Sequence, residues 1–450
     1  MITGWPLPCA QPLTSTDTQS PAAVLNRANE EIRNNQDGVP EKRFYQDKLH
    51  AAWDHAKACV AYTTLGDFSW EEFGDLPITP KQHLKEAPHD FMAAAVGHSA
   101  KYYETTGTTG RPTPTPRAAE DVIWNTVSVA ESWRDLLDED ERVLIMMPSD
   151  IVPVGDLIAG VCEYLDLPHV RCYPFATGIS DWDRIVSLWE TLRPTTVFIA
   201  PGVALQFSRL LKQRGQLDRY HETVTKIMLL GEVSTPPFRA RLGRWWDAKV
   251  FDASYGSTET GTLAVSCHDD RLHLLTAANY FELATDGETT PLSNSGAGRL
   301  VVTPLNMYSR ALLRLDTGDE VTVTSGCDCG NRAPVVQVAG RSSDALRVHG
   351  ATLTVRGVEE IVFGATEATG YLMEADRTGE FARLILERDV RWDRSDEGDM
   401  TTRVQRVSRD TLGLQWDEVV FVNQLPATTK SGASQKNWKR SNFRTLETAR

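Results

Sequence analysis

The sequence predicts an α/β protein: a large N-terminal domain with βαβ sheets plus an antiparallel β segment, then a small α+β C-terminal domain. Three observations predict it. Between about residues 120 and 257, short apolar runs alternate with segments of about a dozen residues at helical spacing. From about 280 to 340 the helical spacing vanishes and apolar and polar residues alternate singly. Beyond about 345 strand-like and helix-like segments mix again. At 450 residues the chain exceeds one ordinary core. We expect a flexible tail over 1–22, a large domain over 23–343 and a small one over 344–450.

In order, 25–90 reads as polar helices ending in DLPITPKQHLKE, and DVIWNTVSVAESWRDLL as a helix. RVLIMMP, HVRCYPF, TTVFIAP, TVTKIMLLGE and AKVFDASYG read as strands. VGDLIAGVCEYL, DWDRIVSLWETL, ALQFSRLLKQRG and PPFRARLGRWW read as the helices between them. That alternation calls for a largely parallel sheet. YFELATDGETTPL, GRLVVTPL, ALLRLDTGDEVTV and VVQVAG, joined by Gly, Asp and Asn, form the antiparallel segment. FARLILERDV and DEVVFVNQL read as strands flanking a helix in MTTRVQRVSRDTLGL.

The net charge is −14, with no block of Lys or Arg, which argues against a nucleic-acid partner. No apolar run reaches the length of a membrane span, and the first twenty residues lack a secretory pattern. Seven cysteines are few for this length, which suits a reducing cytoplasm.

YYETTGTTGRPT holds five threonines. Gly107 and Gly110 permit close backbone approach, and Thr105, Thr106, Thr108 and Thr109 offer hydroxyl donors for phosphate oxygens. Gly110 is followed by Arg111 and Pro112, so this is not a Walker loop. By itself such a loop is equally a mobile turn. Downstream, DASYGSTETG presents Tyr255 and Gly256, then Thr258 and Glu259: a ring for stacking and a carboxylate for a divalent cation. LRLDTGD places Asp319 at a tight turn, suited to vicinal hydroxyls or simply to the turn, and GRSSDALRVHG carries Arg341.

In this order, these segments resemble the adenylate-forming acid ligases, above all the phenylacetate–CoA ligase branch, over about residues 40–440. The resemblance implies that the Thr/Gly loop grips ATP phosphates and that Gly231 and Glu232 line the adenine site. It implies that Tyr255 flanks the base, Glu259 binds Mg²⁺, Asp319 holds the ribose and Arg341 contacts the nucleotide near a hinge. It further implies two half-reactions: adenylation of a carboxylic acid, then transfer to the thiol of CoA or of a carrier-protein phosphopantetheine. The small domain rotates between them. The branch is commonly dimeric. Where the family reads LPxxxGK, this sequence reads LPATTKSGASQKNWKR. Lys436 is the favoured replacement for the missing lysine and Lys430 the other. The hinge pair is Ser343–Asp344 in place of two aspartates. The altered loop also leaves room for a non-catalytic protein that only binds nucleotide or acyl ligands.

Cys267, His273, Cys327 and Cys329 make a Cys₃His set for a structural Zn²⁺, a placement that the ligase branch shares; unrelated thiols are the other reading. The acid is expected between PSDIVPVGDLIAGV, IAPGVALQF (with Pro201 and Gly202) and LLGEVST. Asp156 lies in an otherwise apolar helix. It either meets an amino or hydroxyl group on an aryl or amino acid, or is an exposed first-turn acid.

Overall fold

The structure, a computed structural model, describes residues 20–105, 112–176, 178–292, 295–341, 345–426 and 442–446. Two compact units divide the chain: Met1–Asp138 with Ser149–Asp166 and Tyr255–Val338, and Glu139–Pro148 with Leu167–Ser254 and Ala339–Arg450. No described helix is long and apolar enough to cross a membrane.

In the first unit the polar N-terminal segment forms the helices Pro21–Asn35 and Lys42–Ala56. Ser20 caps the first, its hydroxyl accepting from Ala23 N at 3.3 Å. Tyr45, Leu49, Trp53 and Ala56 recur three to four residues apart, so one face of the second helix is buried. It packs with Phe73, Leu84 and Phe91 on Leu274, Phe281, Leu300, Val302, Leu313 and Val336. Truncating a wholly buried tryptophan such as Trp53 costs about 3–5 kcal/mol. The sheet below has eight strands in the order Glu288–Pro291, Asn279–Thr285, Gly296–Pro304, Leu315–Thr324, Val335–Arg341, Leu272–Leu274, Gly261–Ser266 and Ser254–Ser257. Asp286 and Gly287, both at positive φ, close its first hairpin.

Two sequence expectations need correction. AKVFDASYG is not one strand: Lys249–Asp252 ends the parallel sheet, and Ser254–Ser257 starts at the edge of the antiparallel one. Gly256 makes the edge pairing feasible, because a Cβ there would lie 2.4 Å from Gly261 O. Asp319 is not at a hairpin turn but inside the strand Leu315–Thr324. Arg299 pairs with Glu320 and Val301 with Asp316, so four steps on one strand oppose two on the other. The two extra residues form a bulge at Thr317–Asp319, with Gly318 at φ 74°.

In the second unit five parallel strands run in the order His169–Arg171, Val143–Met146, Thr196–Ile199, Lys226–Leu229 and Lys249–Asp252. Val143–Met146 and Thr196–Ile199 are buried throughout, which is why they read as continuous apolar runs. The strand order reverses between these two, and the crevice beyond their carboxyl ends is where such sheets bind ligands. The same unit holds a four-stranded mixed sheet in the order Glu418–Val422, Ala382–Glu387, Gly370–Asp376 and Phe443–Leu446, with the helices Val355–Ala365 and Glu397–Leu412. Arg241, almost wholly buried, reaches the C-terminal end of Val355–Ala365, donating to Ala368 O at 2.6 Å, Phe363 O at 2.9 Å and Thr366 O. A cation there answers both the unsatisfied carbonyls and the helix dipole.

Candidate active site and metal centre

The bulge turns Asp319 out of the regular ladder. Its backbone N–H donates to Thr317 Oγ1 at 3.2 Å, and Gly318 N donates to Asp316 Oδ1 at 2.8 Å, so the distortion leaves both amides satisfied. Tyr255 then donates its phenolic hydrogen to Asp319 Oδ2 at 2.7 Å. The ring and the carboxylate picked out in two distant segments are therefore neighbours.

Glu259 is 5% exposed. Burial alone would raise its pKa, but the Lys81 ammonium, its own backbone N–H and the Ser257 hydroxyl outweigh burial and hold it below the usual carboxylate range. Lys81 Nζ lies 3.9 Å from Glu259 Oε1 and 3.5 Å from Thr317 O. Thr79 fixes that position by pairing with the bulged strand: Thr79 N donates to Arg314 O at 2.8 Å and Asp316 N to Thr79 O at 2.9 Å. Below Glu259, Arg117 Nη2 donates to Thr258 O at 2.8 Å and Glu259 O at 3.0 Å. Arg310 lies close by, and burial together with the Arg117 charge pushes its guanidinium down to about 9.

The Thr/Gly loop joins the paired strands Lys101–Glu104 and Pro114–Arg117. Thr105 closes it: its N–H donates to Thr113 O at 3.0 Å, and its Oγ1 accepts from Thr113 N at 2.8 Å. Thr106, Gly107, Thr108, Thr109 and Gly110 lie outside the described residues, as do Ser343, Asp344, Lys430 and Lys436. Arg341 ends the strand Val335–Arg341.

In the second unit Gly231, at φ 85°, turns the chain after Lys226–Leu229. Glu232 Oε2 then accepts from Gly202 N at 3.0 Å. Pro201 and Gly202 begin the helix Pro201–Gln213, so the carboxylate satisfies one of the helix's free N-terminal amides. Two segments predicted to line one site thus meet at the carboxyl ends of the parallel strands. Asp156 sits in the first turn of Val154–Tyr164, and its Oδ2 accepts from Lys101 Nζ at 2.9 Å and Tyr103 OH at 3.0 Å.

The four sulfur and imidazole ligands converge. Their donor atoms all lie within 4.8 Å of one another. Cys267 Sγ is 3.8 Å from Cys327 Sγ, too far for a disulfide and close to the separation of two thiolates on a tetrahedral zinc at about 2.3 Å. Cys329 Sγ lies 3.3 Å from His273 Nε2, while His273 Nδ1 faces Ala333 O at 2.7 Å. That carbonyl fixes the tautomer that turns Nε2 toward the sulfurs. The donor set fits a closed, structural zinc site with no open position.

No family model matches the sequence. The phenylacetate–coenzyme A ligase of Aromatoleum evansii is 22% identical over 380 residues, covering 82% of this chain and 81% of that protein. The phenylacetate–coenzyme A ligase of Escherichia coli (strain K12) is also 22% identical, over 358 residues, with coverage of 77% and 78%. The crystal structure of 2-hydroxyisobutyryl-CoA ligase with 2-HIB-AMP superposes with a TM-score of 0.72 at 17% identity, covering 97% of this chain and 90% of that one. The fold is that of the adenylate-forming CoA ligases. The sequence likeness is to their phenylacetate–CoA ligase-like branch. Within this adenylate-forming ligase fold, Lys81, Arg117 and Arg310 escaped the sequence reading. Lys81 stood in plain view in the TPKQHLKE segment, but nothing in the linear sequence places it beside Glu259.

Proposed function

We propose that the protein activates a carboxylic acid with ATP to an acyl-adenylate and passes the acyl group to the thiol of CoA. The observation that carries this reading is the Tyr255–Asp319 pair, whose tyrosine stands four residues before a buried Glu259 held below the usual carboxylate range. Tyr255 and Asp319 would hold adenine and ribose, and Glu259 would hold Mg²⁺, which neutralises phosphate charge when bound. Thr105 anchors the loop whose hydroxyls, Thr108 among them, would hold the phosphates. Gly231 and Glu232 would line the adenine site, with the Glu232 carboxylate held by Gly202 N.

The acid's carboxylate oxygen attacks the α-phosphorus, and the bond to the bridging oxygen of pyrophosphate breaks. Both partners are anions, so the site must supply fixed positive charge. Lys81 supplies part, and Lys436 is proposed to supply more once the C-terminal segment, 344–450 in our reading, closes over the nucleotide. Arg341 would contact the nucleotide at that hinge. In the second step a thiolate attacks the acyl carbon and AMP leaves. The acid is in our reading an aryl or amino-substituted acid. Asp156, oriented by Lys101 and Tyr103, would face its polar substituent, with Pro201 and Gly202 along its length. The Cys₃His set would hold one structural Zn²⁺.

The test is mass spectrometry of products formed from ATP, Mg²⁺, a panel of acids and CoA. Acyl-AMP and acyl-CoA are expected with at least one aryl or amino acid. Acyl-AMP without acyl-CoA would transfer the second step to a carrier protein. No adenylate with any acid would overturn the activation reading and leave a ligand-binding protein.

A further inference from the structure

Arg117 is 7% exposed and Arg310 is fully buried. A guanidinium brings five N–H donors and keeps its charge under ordinary conditions. Neither finds enough acceptors among the described residues. Arg117 uses Nη2 on two carbonyls, and its Nη1 has no partner among them. Arg310 donates from Nη2 to Thr115 Oγ1 at 3.3 Å, while its Nε and Nη1 have no partner among the described residues. A buried donor left unpaired is costly, and more so when it is charged. Such an arrangement persists when something else satisfies it.

The surrounding charges say what that is. Lys81, Arg117 and Arg310 face Glu259, and Asp121 adds a second carboxylate on the Arg117 side. Asp121 is occupied by the backbone N–H groups of Ala118, Tyr308 and Ser309. Three cations against two carboxylates leave an excess of positive charge, and a divalent cation on Glu259 would enlarge it. The missing partner is an anion. Three unpartnered nitrogens, carrying five N–H hydrogens over two side chains, suit an oxyanion with oxygens in several directions, as phosphates have, better than a flat carboxylate. Arg117 ends the strand that returns from the Thr/Gly loop, and Thr115, which holds Arg310, lies two residues before it.

We propose that Arg117 and Arg310 form a buried oxyanion subsite for the terminal phosphates of the nucleotide and for the pyrophosphate that leaves. This rests on the activation reading above for its occupant. It supplies charge at the leaving group from the body of the fold, independent of the C-terminal lysine segment.

The experiment is isothermal titration of the full-length protein with magnesium pyrophosphate, with AMP as the control ligand, on wild type, Arg310→Met, Arg310→Lys and Arg117→Lys. The lysine variants keep the charge and lose the planar fork, and serve if Arg310→Met does not fold. Pyrophosphate affinity is expected to fall at least tenfold in each folded variant, with AMP affinity changed less than twofold. Unchanged pyrophosphate affinity in a folded variant, or an equal loss for AMP, overturns the subsite. Pyrophosphate–ATP exchange with an acid panel separates the two readings. Exchange by wild type with an unchanged pyrophosphate KM in the variants removes the subsite and leaves acid activation standing. No exchange by wild type, with pyrophosphate binding lost in the variants, does the reverse.

Discussion

Tyr255 and Asp319 stand 64 residues apart in the chain and share a 2.7 Å hydrogen bond. One comes from the edge of the antiparallel sheet and the other from a bulge within it, so the pair exists only when both strands are correctly registered. In our reading the carboxylate trades this phenol for ribose hydroxyls. Asp319→Asn should raise the KM for ATP about tenfold or more, the value of a charge-assisted hydrogen bond, with a smaller change in kcat. Tyr255→Phe should change it only a few-fold, because the ring remains. Initial-rate kinetics in ATP for both variants would decide; equal effects would argue against separate roles.

Glu259→Gln keeps size and burial and removes the charge. We expect acyl-adenylate formation to fall about 10²-fold or more, with weakened dependence on Mg²⁺ concentration. Quenched-flow measurement of adenylate over a magnesium titration is the check.

For the lysine pair, Lys436→Ala is expected to cut adenylate formation about 10²–10³-fold while Lys430→Ala stays within a few-fold. The reverse pattern, read from single-turnover adenylate yields, would move the role to Lys430.

The Cys₃His set should retain one zinc per chain after exhaustive dialysis, by atomic emission. Cys327→Ser or His273→Ala should lose it and lower the melting temperature by about 5–10 °C, with little change in AMP affinity, because the ligands staple hairpins. Full occupancy in either variant would refute the assignment.

Glu131 accepts from Arg33 Nε at 2.8 Å, Arg134 Nη2 at 2.5 Å and Tyr164 OH at 2.5 Å. Burial alone would raise its pKa, but these hydrogen bonds outweigh it and hold the carboxyl down at about 2. A depressed carboxylate stabilises the fold above its unfolded pKa, near 4.5, and loses that contribution as pH falls toward 2. The arginines reach solvent, so the network should contribute about 1–2 kcal/mol. Glu131→Gln should cost that much in urea unfolding at pH 7, and the gap should close between pH 4.5 and pH 2. A constant gap would mean that packing and not charge is lost.

The sequence made the layers legible because burial leaves a periodic trace. RVLIMMP reads as a strand from its unbroken apolar run, and DVIWNTVSVAESWRDLL as a helix from apolar residues at helical spacing; the structure has Val143–Met146 and Ala119–Trp133 there. Tyr255, Glu259 and Asp319 could be picked out because short loops rich in Gly and Thr surround them. The convergence of Cys267, His273, Cys327 and Cys329 was legible because cysteines are few in this chain and two of them stand in a Cys-x-Cys pair. What stayed hidden depends on long-range registration. Lys81 gains its meaning from the backbone bridge that Thr79, two residues before it, makes to a strand more than 230 residues later. Arg310 lies in an ordinary stretch and is singled out only by burial beside Arg117. The break between Asp252 and Ser254 left no trace, because both sides of it look like strand.

The bulge at Thr317–Asp319 weakens the ladder locally. A strand two residues shorter would pair straight across with Gly296–Pro304, and Gly318 would not need a backbone region that other residues enter at a cost of about 1–2 kcal/mol. The sheet carries this irregularity at the place where the Asp319 carboxylate meets the Tyr255 hydroxyl, so local ladder strength is given up where one side chain is turned out of the strand.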